Sequence, residues 1–183
     1  GQPYKIAVFD ISRAHFYGKA KRRVFVELEE EDRKEFGQDK CGLLQRSMYG
    51  TQDASAIWQD DYVELLVGAD FERGRSNGAV FYRKSDDVRI LVHGDDFVVL
   101  SSQCGIDAFE SLLKTRYEYK KVANLGFEEG DDRTAVILNR IFEIEEGRPR
   151  MLRVEPDARH AQLIVRELGL VDAKGVETPA EKR

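Results

Sequence analysis

The chain has 183 residues, 42% of them hydrophobic, and a formal charge of −5. That is enough apolar material for a core in one domain or one and a fraction, and it excludes a disordered tail. No apolar run approaches the ~20 residues that span a bilayer, so no membrane partner is expected, and the acidic balance argues against nonspecific nucleic-acid binding through a uniformly basic face.

The opening, GQPYKIAVFD, lacks signal-peptide anatomy, which fits an intracellular protein. It begins almost inside a strand, and the end, VETPAEKR, stops without a closing element, so a piece of a longer chain is expected. Cys41 and Cys104 stand alone, outside any CxxC or zinc-finger spacing, and read as reduced thiols. Acid gathers at 27–36 and 127–132, base at 18–23, 119–121 and 148–153, and each run by itself reads as solvated surface.

In chain order, YKIAVFDI (4–11) is a β-type run and RVFVEL (23–28) alternates as a second strand, followed by a charged, loop-like stretch to Lys40. DASAIWQDDYVELLVGADF predicts a helix with Ala54, Ile57, Trp58, Tyr62, Leu65 and Leu66 on one face. Asp53 is its expected N-cap and Gly68 its expected C′ residue. Three strands follow at 79–84, 88–93 and 97–102, turned by SDD and GDD, then a helix at 105–117 with Ile106, Phe109, Leu112 and Leu113 inward. TAVILNRIFEI (134–144) and RMLRVE (150–155) predict a further pair of strands, and PDARHAQLIVRELG a helix with Pro156 in its first turn and Gly169 closing it. With the early strand set aside, the order is β-α-ββ-(β)-α-β. That predicts an α+β fold of the ferredoxin-like kind: an antiparallel sheet with helices packed on one face and the other face open.

Chemistry enters at ILVHGDDFVVL (90–100), where Asp95 and Asp96 interrupt an apolar run. Glycine and aspartate are ordinary turn residues, so the motif alone is equally a plain hairpin. Asp10 changes the balance, because aspartate is depleted in strands and rarely buried. In a βαββ sheet the first strand lies beside the hairpin, so Asp10 and Asp95 would converge. Carboxylates that meet on an open sheet face repel one another unless cations lie between them. Mg²⁺ suits one or two carboxylates plus waters and substrate phosphates, and a pair of such ions clamps in-line phosphoryl transfer.

At this point the sequence resembles a family, the reverse transcriptase domain of copia-type (Pseudoviridae) long-terminal-repeat retrotransposons. The family's Asp-Val-Lys-x-Ala-Phe-x-x-Gly is similar to DISRAHFYG, matching Asp10, Ala14 and Gly18. Its Leu-x-x-Ser-Leu-Tyr-Gly-Leu-Lys-Gln-Ala-x-x-x-Trp is similar to LQRSMYGTQDASAIW, matching Leu44, Ser47, Tyr49, Gly50, Ala54 and Trp58. Its Tyr-Val-Asp-Asp hairpin corresponds to HGDD, and its closing helix with Val-x-Thr-Pro to RELGLVDAKGVETP.

The resemblance implies a polymerase palm over 1–145, with 146–183 leading toward a thumb or connection region. The implied function is RNA-directed DNA polymerase, transferring a nucleotide to a primer 3′-hydroxyl. Asp10, Asp95 and Asp96 would be catalytic, and with the Ile11 carbonyl would hold two Mg²⁺ ions, Mn²⁺ being a substitute. Ile11, His15, Phe16, Gly50 and Gln52 would contact the incoming nucleotide. Implied partners are an RNA or DNA template-primer, a deoxynucleoside triphosphate and the rest of a Pol polyprotein (fingers, thumb and ribonuclease H). The implied location is a cytoplasmic virus-like particle.

The departures are specific. His15 stands where the family carries an aromatic that blocks a ribose 2′-hydroxyl, with Phe16 adjacent. Thr51, Gln52 and Asp53 replace Leu-Lys-Gln, which removes a lysine and adds a carboxylate. Gly-Asp-Asp is also the hairpin of viral RNA-dependent RNA polymerases. The alternative reading is a catalytically inactive or co-opted remnant that only binds nucleic acid or a protein partner.

Overall fold

The computed structural model describes residues 3–147, 151–156 and 158–174. It is α+β, as the sequence predicts. Its main sheet has six strands: β1 (Lys5–Ile11), β4 (Glu72–Arg73), β5 (Val80–Arg83), β6 (Val88–His93), β7 (Asp96–Ser101) and β8 (Tyr119–Leu125). They lie in the order β4-β5-β6-β7-β1-β8, and every neighbouring pair is antiparallel. Two helices, α2 (Ala54–Gly68) and α3 (Gln103–Lys114), cover one face. The core lies between them and the inward alternate residues of the strands: Ala7, Phe9 and Ile11 from β1, Phe97 and Val99 from β7, and Val88, Ile90 and Val92 from β6. Trp58, Tyr62, Leu66, Ile106, Phe109 and Leu113 meet them from the helices. The helix faces therefore follow the predicted apolar periodicity, with Leu65 and Leu112 only partly buried at their margins.

Several expectations are corrected. The stretch before Lys40 is not all loop: it holds α1 (Glu30–Phe36), and β2 (Phe25–Glu27) finds its partner in β3 (Cys41–Leu43). α1 has no buried residue, so it carries no apolar period to detect. An acidic first turn and the Glu30–Lys34 pair at 3.2 Å support it instead. Residues 134–144 form two strands rather than one, β9 (Thr134–Ile137) and β10 (Arg140–Glu145). Leu138 and Asn139 turn between them with φ of 50° and 58°, the signs of a type I′ turn. Leucine is a poor residue for positive φ, which is why the turn carries no sequence signal. β9 and β10 join β11 (Met151–Pro156) in a separate three-stranded sheet.

The last strand of the main sheet is β8, whose sequence YKKVANL looks only like a basic cluster. It is an edge strand, where lysine is tolerated, and a register shift opposite Val8/Phe9 breaks its alternation.

The helix ends also differ. Asp53 precedes α2, but its carboxylate binds Arg22 Nε at 3.1 Å and makes no cap bond to the helix. Gly68 lies within α2. The left-handed C′ position is Asp70 (φ 63°), where Asp70 and Phe71 N–H groups donate to the Val67 and Leu66 carbonyls, the paired bonds of a Schellman motif. Gly169 does close α4 (Arg159–Glu167), with φ 67°. Pro156 ends β11 and is not in that helix, and Val176–Pro179 of the resemblance lies outside the described residues. The acidic run at 127–132 is not merely solvated: Glu128 and Asp131 hold the buried Lys5 ammonium, each at 2.7 Å.

Close approach of α3 to the sheet rests on Gly105, where a Cβ would stand 2.1 Å from Ser101 Oγ and 3.0 Å from both Ser101 Cβ and Val88 Cγ2. Gly68, also helical, has nothing within 4 Å of that position. Gly105→Ala is therefore expected to destabilise the fold by about 1–3 kcal/mol, and Gly68→Ala to stabilise it by about 0.5–1 kcal/mol. Urea denaturation of the two variants checks both signs.

Candidate active site

The sheet face away from α2 and α3 carries the other alternate residues, on β1 Ile6, Val8 and Asp10. It is not wholly open, although the sequence predicts an open face: Val8, Ala123 and Leu125 pack there against Ile137 of β9 and Ile144 of β10, and Asp10 lies half-buried near the end of the strand. The ladder sets Asp10 directly opposite Asp96 of β7, and Asp96 opposite His93 of β6. Asp95 occupies the two-residue turn between β6 and β7 with Gly94. Carboxylate oxygens of Asp10, Asp95 and Asp96 can all lie within 4.8 Å of one another, although 85 positions separate Asp10 from Asp95 in the chain. Like charges directly opposite in an antiparallel pair are destabilising. Burial, then the charges of Asp95 and Asp10, raise the Asp96 carboxyl above its ordinary range, and His93 offsets part of that. The donor set is all carboxylate oxygen on a half-open surface, the chemistry that fits Mg²⁺ or Mn²⁺.

The turn itself explains Gly94. Its φ is +63° while Asp95 has none of the positive φ values, the sign pattern of a type II′ turn, which takes glycine at its first position. Two hydrogen bonds fix the turn. The Ile11 N–H donates to the Asp95 carbonyl at 2.9 Å, and the Trp58 indole N–H donates to the Gly94 carbonyl at 2.7 Å.

After β1, Ala14–Phe16 form a single 3-10 turn entered through Arg13 in the left-handed conformation (φ 54°). His15 lies half-buried, stacked on Tyr49 with ring centroids 4.2 Å apart and planes at 24°. Phe16 meets the same tyrosine edge-on at 5.7 Å and is 41% exposed. Phe16 also lines a cavity of about 440 Å³ with Arg13, Tyr17 and Glu118. The structure thus brings His15 and Phe16 together around one ring. Tyr49, in the sequence no more than a motif match and not among the candidate site residues, is the residue that joins them. Gly50 follows with φ +86°, and a Cβ added there would meet no atom within 4 Å, so the backbone conformation, not crowding, calls for glycine. Gln52 is exposed, and its side chain makes no hydrogen bond among the described residues. The carboxylate added by Asp53 is neutralised locally: its hydrogen bond from Arg22 holds it below the ordinary carboxylate range.

The two lysines of β8 separate by face. The irregularity opposite Val8/Phe9 leaves Val122 unpaired and puts Lys121 opposite Phe9 and Lys120 opposite Asp10. Lys121 turns to the helix side, where it binds Glu110 and lies over the Phe9 ring at 5.4 Å. Lys120 is exposed on the carboxylate side, and its ammonium makes no ion pair among the described residues. Without the extra residue the two would exchange faces.

A proton-linked cost follows from the raised Asp96 carboxyl. The folded state binds that proton more tightly than the unfolded chain, so stability falls as pH rises through the window above the unfolded carboxylate value. In chelator at neutral pH, Asp96→Asn is expected to raise Tm by on the order of 2 °C, an advantage that shrinks on acidification. Added Mg²⁺ is expected to raise the Tm of the unmodified chain by more than that of the variant. Differential scanning calorimetry checks both outcomes.

Comparison with known proteins agrees with this geometry. No curated protein sequence matches the chain at a significant level. The family model described as "Reverse transcriptase (RNA-dependent DNA polymerase)" matches residues 2–139, from the start of β1 through the β9–β10 turn, and so spans the carboxylates, the aromatic group and both helices of the main sheet. The chain belongs to the reverse transcriptase family.

Proposed function

We propose that this chain is the palm of a copia-type RNA-directed DNA polymerase and carries the catalytic carboxylates of templated nucleotidyl transfer. In that reaction a primer 3′-hydroxyl attacks the α-phosphorus of a deoxynucleoside triphosphate and pyrophosphate leaves. The single observation that carries the proposal is the convergence of Asp10, Asp95 and Asp96 at one end of the sheet within the matched region. A lone acidic hairpin would not require a third carboxylate opposite it.

Asp10 and Asp95, with the Ile11 carbonyl, would hold two Mg²⁺ ions, and Asp96 would complete the negative cluster. Bound there, the ions would supply charge neutralisation for the attacking and leaving oxygens. The protein's own task is placement, which dominates phosphoryl transfer. Asp10 and Asp96 are held by the ladder at the centre of the sheet, so their separation is set by strand spacing rather than by a loop. Lys120, presented beside Asp10 by the unpaired Val122, would meet the negative triphosphate or its product. His15 and Phe16 would wall the sugar, with Gly50 and Gln52 toward the base and template. His15 is the better gate against a 2′-hydroxyl, because stacking on Tyr49 immobilises it. The remaining Pol segments and a template-primer are the partners this reading requires.

No described helix is long and apolar enough to cross a membrane. A virus-like particle is the compartment proposed from the resemblance.

Primer extension by the complete protein tests the function. Asp95→Asn is expected to lower Mg²⁺-dependent incorporation by at least three orders of magnitude while primer-template binding is retained; undiminished extension refutes the assignment. Binding of primer-template without incorporation by the unmodified protein would instead support a noncatalytic remnant. His15→Ala is expected to raise ribonucleotide over deoxynucleotide incorporation about tenfold, and Phe16→Ala to leave that ratio near its starting value, measured as a ratio of kcat/KM.

A further inference from the structure

Asp95 differs from its two companions in how it is held. Asp10 and Asp96 are locked in the β1–β7 ladder, but Asp95 sits exposed in a two-residue turn. Its backbone position depends on what grips that turn. One grip is the Ile11 N–H on the Asp95 carbonyl. The other is the Trp58 indole on the Gly94 carbonyl, the oxygen of the peptide unit that leads directly into Asp95. Trp58 is 2% exposed and is enclosed by the rings of Tyr17, Tyr62, Phe97 and Tyr117, at centroid distances of 6.5, 5.4, 6.3 and 5.2 Å. A buried indole N–H needs an acceptor, and an aromatic cage of this kind leaves the ring little freedom to seek another. The core of α2 is thereby connected to the acidic turn by one directed bond.

We propose that Trp58 is a positioning residue for the cation site: its indole N–H fixes the Gly94–Asp95 peptide and so aims the Asp95 carboxylate at Asp10 and Asp96. This rests on the proposed binding of divalent cations by the three carboxylates. Trp58 is the sole tryptophan of the chain, so its fluorescence also reports on the turn.

The test is Mn²⁺ binding to the full chain, followed by electron paramagnetic resonance of free Mn²⁺ and by quenching of Trp58 emission in the unmodified protein. Two replacements remove the N–H: Trp58→Phe, and substitution of Trp58 by β-(3-benzothienyl)alanine, which keeps the bicyclic shape with sulfur in place of N–H. The expected result is Mn²⁺ affinity about tenfold weaker in both, the lower end of an outer-shell defect, with native circular dichroism. Trp58→Phe also leaves a packing gap, so the isostere decides if that variant unfolds. Affinity equal to that of the unmodified chain, with only Tm lowered, overturns the proposal and leaves Trp58 as core packing. Absence of Mn²⁺ binding by the unmodified chain overturns the metal-site reading itself, together with this proposal.

Discussion

The β1–β7 ladder sets Asp10 and Asp96 opposite each other at the centre of the main sheet, and most of the structure can be understood as accommodating that pair. Two carboxylates at cross-strand distance repel, and burial of Asp96 adds to the cost. The arrangement persists because the opposite face of the same strands is a dense apolar core: Phe9, Ile11, Phe97 and Val99 pack under α2 and α3. Stability supplied on one face holds an unfavourable charge arrangement on the other. In the proposed function, a divalent cation bound there would convert that repulsion into attraction.

Around this pair, local irregularities select which groups reach the site. Type II′ geometry at Gly94 lets the chain reverse in two residues and leaves Asp95 beside the ladder pair. The unpaired Val122 on β8 turns Lys120 toward the carboxylates and sends Lys121 to Glu110 beneath the sheet. Tyr49 gathers His15 and Phe16 into one aromatic group. Each device changes the face or position of a side chain without changing its element.

The charge runs show why composition is a weak guide here. Arg22 pairs with Asp53, Lys21 with Asp60, and Arg153 with Glu145, so among the described residues part of the charge in the basic runs is matched within the chain. The altered motif at Thr51–Asp53 is similar: the carboxylate gained there is tied to Arg22 and adds little free charge near the site.

The sequence by itself determined that helices exist around 54–68 and 105–117 (the latter observed at Gln103–Lys114), the β5–β6–β7 run, and the candidacy of Asp10, Asp95 and Asp96, because long apolar periods and misplaced carboxylates are local signals. It could not determine α1, which buries nothing; the β9–β10 turn, made at a leucine; or β8, whose alternation is broken by one unpaired residue. Nor could it show that Trp58 spans from the core to the Gly94 carbonyl, that His15 stacks on Tyr49, or that Lys120 rather than Lys121 shares the face of Asp10. Those relations depend on register and on which strands become neighbours. Both are decided by packing between segments far apart in the chain, and a shift of one residue reverses every face they define.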